Sequence, residues 1–226
     1  MRGSNRLARL VPLAGVGFAV LTIAGYLTIG PFPDSDAGIS ELTSFYAAHH
    51  GQVAVGGPLL GLAAIFSALF GTAVWARIRA SDRHPILAGT ALVATAMAAV
   101  SSVEGASGYS VLGEIGHQPW LAPAALQAVH VYSTVGGIDG GTVLFLLAVA
   151  TAGIAGHVFP RWLAVPALAL AIVYLTPFGF YASLLFLPWA AVTGIVMTVR
   201  PGHPVLAMTG VAAPPAVGSG PALSSR

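Results

Sequence analysis

Between Arg161 and Arg200 the chain carries no charged side chain. At about 1.5 Å per helical residue, that run is close to twice the ~30 Å hydrocarbon thickness of a bilayer. A soluble domain cannot hide so long an uncharged stretch and still cover its own surface. The run therefore predicts two membrane helices in a hairpin, residues 162–176 and 180–199. Thr176, Pro177, Phe178 and Gly179 supply the turn, with Pro stopping one helix and Gly relaxing the backbone.

The rest of the chain follows the same rule. Hydrophobic residues make up 56% and charged residues 7%, against roughly 25% charged in a soluble domain. Lipid is the solvent such a composition fits. The absence of cysteine excludes a disulfide framework, a thiolate metal site and a cysteine nucleophile. Arginine supplies all the strongly basic side chains, in short clusters that form no continuous basic surface, so no nucleic-acid partner is expected. The wealth of Ala, Gly, Val and Pro fits a high-GC bacterial genome, which points to a bacterial plasma membrane.

Arg2, Arg6 and Arg9 lead into an uncharged stretch over 10–29. It is longer than a signal-peptide core, and Gly30-Pro31-Phe32-Pro33 is a poor cleavage site, so the expectation is an uncleaved first span. Further spans are expected at 53–76, 86–104 and 131–156, the last interrupted only by Asp139. The fold class is thus an all-α bundle of six transmembrane helices over residues 1–203. Arg77, Arg79 and Arg83, then Arg161, then Arg200 fall on the same side as the N-terminal arginines. That places both termini in the cytoplasm. Asp34, Asp36, Glu41, Glu104 and Glu114 fall on the other side, and only Asp82 joins the arginines. Residues 204–226, rich in Pro, Gly, Ala and Ser, are expected to be disordered.

Two segments on the acidic side are more than connectors. Residues 36–50 place Ile39, Leu42, Phe45 and Tyr46 on one helical face, which predicts a short amphipathic helix lying at the interface. Residues 105–123, rich in Gly and Pro, hold Glu114, His117 and Trp120.

Counted along their spans, Glu104 and Asp139 lie about 27 Å and about 26 Å from the arginine side. Two carboxylates at one depth are costly unless they meet water or a partner. Gly136, Gly137, Gly140 and Gly141 around Asp139 allow close backbone approach. On a continuous helix Tyr132 shares a face with Asp139, while Gln127 and His130 share another. The expected ligand-binding residues are therefore Glu104, Asp139, Tyr132, His130 and Gln127, in an outward-facing polar pocket. Its use would be binding or transport of a small molecule, ion or lipid. The bland counterpart is that the carboxylates cap or snorkel and the loop histidines are solvated. His49, His50 and His117 are further neighbours, but adjacent residues on a helix diverge by about 100°, so His49-His50 is a weak metal motif. No catalytic residue, metal or other cofactor is assigned. Alternatives are a membrane-embedded hydrolase or metal-dependent enzyme, and an accessory subunit of a membrane complex. A homo-oligomer fits either.

Metalloprotease HExxH, dinucleotide GxGxxG and Walker motifs are absent. Gly105-Ala106-Ser107-Gly108 resembles the serine motif of rhomboid intramembrane proteases. The chain's one asparagine is Asn5, so the oxyanion-supporting Asn of that family has no counterpart. Gly57 and Gly61 form a small-xxx-small packing pair. Pro58, Pro166 and Pro188 fall within spans, where membranes tolerate them.

Ser101–Gly105 (SSVEG) and Phe159–Leu175 (FPRWLAVPALALAIVYL) give the chain a resemblance to a family of bacterial multi-pass proteins classed as a domain of unknown function. The family's acidic residue follows an Arg-containing stretch, and that Arg is missing here. The resemblance implies six helices and no assigned activity.

Overall fold

The computed structural model describes residues 10–81, 85–135 and 139–200. Arg2, Arg6, Arg9, Asp82, Arg83, the glycines at 136 and 137 and the expected disordered tail lie outside them. The described residues contain seven α-helices and no strand. A 3-10 turn at Val11–Leu13 leads into α1 (Ala14–Ile29), followed by α2 (Ile39–Ala80), α3 (Pro85–Ile115) and α4 (Pro123–Val135). Then come α5 (Gly140–Ile154), α6 (Arg161–Tyr174) and α7 (Gly179–Val199). Among the described residues, four segments are long and apolar enough to cross a membrane: Val11–Ile29, α2, α3 and α7. Helices α5 and α6 are shorter and apolar. The chain is a helical, membrane-embedded protein.

Three expectations are corrected. The interfacial helix expected within 36–50 and the span at 53–76 are one continuous α2 of 42 residues. Between Ala47 and Gln52 there is no proline and only Gly51 as a weak helix former, a cost of about 1 kcal/mol that packing offsets. The span at 86–104 continues to Ile115, so residues 105–115 are helix and the loop shrinks to 116–122. The span at 131–156 is broken. Its first residues end α4, and α5 begins at Gly140 with Asp139 as its N-cap. Four glycines within six residues weaken helix propagation, and Asp is a strong N-cap former. The hairpin falls where expected. Gly179 N–H donates to the Thr176 carbonyl at 3.0 Å, and Phe178 N–H donates to the Thr176 hydroxyl at 3.2 Å.

At about 1.5 Å per residue, α2 measures roughly 63 Å and α3 roughly 46 Å. A bilayer core accounts for about 30 Å of each. The excess lies at the acidic end, where the first turns of α2, the last of α3, all of α4 and the connector after α1 form a separate cap. The cap has its own core, which includes Leu42, Tyr46, Ala106, Tyr109, Leu112 and Leu126. A second cluster fills the bundle, built from α2, α3, α5, α6 and α7 around Phe70, Leu146, Val149, Ala171 and Trp189.

Small residues hold α2 against α3 through both layers. Gly113 lies against Ala54, Gly57 against Ser110, Gly61 near Ala106 and Gly71 against Thr95. The register of this antiparallel pair barely changes along its length. A Cβ on Gly113 would run into the Ala54 backbone, so this approach requires glycine. At the opposite end, Arg77 donates to the Arg200 carbonyl at 2.9 Å and to the Val158 carbonyl at 3.4 Å. Its guanidinium sits 5.6 Å from the centre of the Phe159 ring. The ends of α2 and α7 and the start of α6 thus meet at one arginine-bearing end.

Candidate functional site

The connector Gly30–Pro33 positions the cap. Gly30 ends α1 with φ of 79°, a left-handed conformation natural to glycine. The turn delivers Phe32 between α2, α3 and α4. Its ring lies 5.3 Å from Phe45, 5.2 Å from Tyr109 and 5.3 Å from His130, the last stacked at 7°.

His130 is fully buried. Its Nε2 lies 3.2 Å from the Asp34 carbonyl and its Nδ1 lies 3.0 Å from the Tyr46 hydroxyl. A carbonyl only accepts, so Nε2 carries the proton, and the neutral ring's Nδ1 accepts from Tyr46. The connector, α2 and α4 meet in this network. Burial pushes the Tyr46 phenol well above its ordinary value, and the nearby Tyr109 adds to the rise.

The other expected site residues do not converge on His130. Asp139 lies at the N-terminus of α5, accepting from the Thr142 amide at 3.2 Å and from the Thr142 hydroxyl. It satisfies orphan N–H groups of the helix and suits the positive end of its dipole. Glu104 is exposed, two positions and so about 200° around α3 from the buried Ala106. Among the described residues it makes no hydrogen bond or ion pair. Among the described residues no hydrogen bond joins Glu104 to Asp139. Tyr132 is 64% exposed and Gln127 half-buried on α4. Ser107 is exposed and its hydroxyl donates to the Val103 carbonyl at 2.7 Å. Among the described residues no histidine partners it, and the protease-like motif forms no nucleophile–base pair there.

His49 and His50 diverge as helix geometry requires. His50 stacks on His117 with ring centres 4.3 Å apart, while His49 stacks on Phe45 at 4.6 Å. Among the described residues no group of three or more His, Cys, Asp or Glu could hold a metal ion.

An open cleft of about 450 Å³ lies on the His49 side of α2. Pro31, Phe32 and Pro33 form one wall, and Glu41, Ser44, Phe45 and His49 form the other. The Ser44 hydroxyl donates to the Glu41 carbonyl at 2.8 Å, and His49 Nδ1 lies 3.0 Å from the Phe45 carbonyl. That carbonyl accepts from Nδ1–H, a tautomer in which Nε2 is an acceptor. The Glu41 carboxylate accepts as well. Every polar side chain of the cleft thus offers lone pairs beside two aromatic rings. Sequence reasoning missed this site because Phe32 and Glu41 belong to different segments, which only the folded connector brings together. The spacing of Glu41, Phe45 and His49 at i, i+4 and i+8 was its one legible trace.

Compared with protein-family models, with curated proteins and with solved structures, the chain matches none.

Proposed function

We propose that this is a six-span protein of the bacterial plasma membrane whose extracytoplasmic cap binds a small molecule bearing an ammonium group. The shared end of Arg77, Arg161 and Arg200 supports placing both termini in the cytoplasm. The broken fourth segment supplies α5 as a short span.

The observation that carries the ligand class is the acceptor-only cleft. Glu41, Ser44 and His49 offer lone pairs, and Phe32 and Phe45 line the cleft beside them. A hydrogen-bond-donating cation complements both. Calorimetry on the full chain in lipid nanodiscs tests this with small primary ammonium compounds, quaternary analogues that have no N–H to donate, neutral isosteres and small carboxylates. Binding is expected from the primary ammonium compounds, with the quaternary analogues weaker and the others silent. It should be lost in Glu41→Gln and Phe45→Ala and kept in Asp139→Asn. Equal binding by wild type and Glu41→Gln would remove the proposal.

A second reading, an accessory subunit, is favoured by Trp120 on the cap, 68% exposed. Co-purification in mild detergent, with and without Trp120→Ser, decides it.

A further inference from the structure

A small, partly open pocket with three hydroxyl side chains in a mostly apolar lining lies in the bundle below the cap, apart from the cleft. It is lined by Ser67, Phe70 and Gly71 of α2, Thr95 and Ala98 of α3, Thr142 and Phe145 of α5, and Phe186 of α7. The centre of a water-sized sphere can explore about 20 Å³ of it, where about 10–15 Å³ suffices for one water.

Donor accounting selects the occupant. The Thr95 hydroxyl donates to the Ala91 carbonyl at 2.7 Å, and the Thr142 hydroxyl donates to Asp139. Both protons are committed, so these oxygens can only accept. The Thr142 oxygen is the stronger acceptor, because donating to a carboxylate polarises it. Ser67 differs: among the described residues its hydroxyl makes no hydrogen bond, so its proton is free to donate. Two acceptors and one donor around a water-sized space are the complement of water, which gives two hydrogen bonds and takes one. Buried waters typically make about three.

We infer that the chamber is a hydration site, with one water donating to Thr95 and Thr142 and accepting from Ser67. That water extends a hydrogen-bonded path from the Asp139 carboxylate into the middle of the bundle, across α2, α3 and α5. Asp139 then has a second task besides capping α5, as the outer end of that path.

X-ray hydroxyl-radical footprinting of the full chain in nanodiscs tests this, because bound waters are activated in place and oxidise their neighbours. Phe145 and Phe186 line the chamber and are 4% and 8% exposed, while Phe159 is 3% exposed and remote from it. Oxidation of Phe145 and Phe186 should exceed that of Phe159 about five-fold or more. Thr142→Val should abolish the difference. Ser67→Ala, which removes no hydrogen bond of the fold, should reduce it and serves if Thr142→Val fails to fold. Equal oxidation of the three rings in the wild type overturns the inference. So does a sodium-dependent rise in Tm that Thr142→Val removes, which would make the occupant a cation.

Discussion

Replacing Tyr46 by Phe removes one oxygen from a completely buried ring and leaves its aromatic contacts in place. The consequence falls on His130. Its Nε2 proton is held by the Asp34 carbonyl at 3.2 Å, so the ring cannot adopt the other tautomer without facing lone pair to lone pair. Nδ1 therefore loses the Tyr46 donor and stays buried. A buried acceptor stripped of its donor costs about 1–3 kcal/mol, or roughly a 5- to 150-fold change in an opening equilibrium. Amide hydrogen exchange in nanodiscs reads the effect locally, because the cap core and the bundle core are separate clusters. Protection should fall by that factor across residues 39–50 and 123–135 and hold across 140–154. Alkaline pH provides a second reading. Burial raises the phenol above its ordinary value of 10.0, so the folded cap binds that proton more tightly than the unfolded chain. The resulting stabilisation is complete below pH 10 and is lost as pH rises through the folded-state value. Tyr109, raised chiefly by burial, behaves alike. In the wild type, cap protection should therefore decline above pH 10, and Tyr46→Phe should weaken that dependence by one proton. Equal loss of protection in cap and bundle, or none in either, would refute a cap that opens independently around this bond.

Other substitutions probe the remaining contacts. Thr193 is fully buried, and among the described residues its hydroxyl has no partner, so Thr193→Val should stabilise the protein by about 1 kcal/mol, seen as a higher Tm in detergent. Gly113→Ala forces a methyl into the Ala54 backbone and should cost about 1–3 kcal/mol or more, against little for Gly105→Ala, where a Cβ meets open space. Arg77→Ala removes the donor to the Arg200 carbonyl and the contact with Phe159. It should lower stability by about 1–3 kcal/mol, and Arg77→Lys should restore only part, since a single ammonium cannot reproduce the guanidinium fork.

Where the sequence was legible, one interaction dominated. Charge-free length against bilayer thickness located the last two helices to within two residues at each end, because nothing else competes over Arg161–Arg200. Length failed at the cap. There the expected boundaries followed the change from apolar to polar residues, but a helix does not stop at a water interface when no residue stops it. His49, His50 and Gln52 mark where α2 leaves the apolar layer, and the helix runs through them unbroken. Asp139 shows the opposite error. Its neighbours are apolar enough to read as one span, and the break follows from glycine propensity and capping, which hydropathy does not register. His130 was singled out as a site residue from its type and position. Its partners, Tyr46 and Asp34, lie 84 and 96 residues away in the chain, beyond the reach of any local pattern.

The two-layer arrangement makes α2 and α3 the mechanical link between cap and membrane. The glycine-lined seam holds them in register from Gly113 down to Gly71, so a shift of one against the other at the cap must be felt at the chamber. Gly71 packs on Thr95, and Thr95 is one of the two acceptors facing the chamber. The cleft lies on the same α2, through Glu41, Phe45 and His49. A ligand that closes the cleft by drawing α2 toward the connector therefore acts on the helix that also carries Ser67. If the cleft and the chamber are coupled in this way, an ammonium ligand should change the oxidation of Phe145 and Phe186, although neither ring lines the cleft. In a variant with the seam filled by Gly61→Ala, whose added methyl meets the Ala106 methyl at ordinary contact, binding should persist while that change disappears. A ligand that alters nothing beyond the cap would show that the seam acts only as a strut.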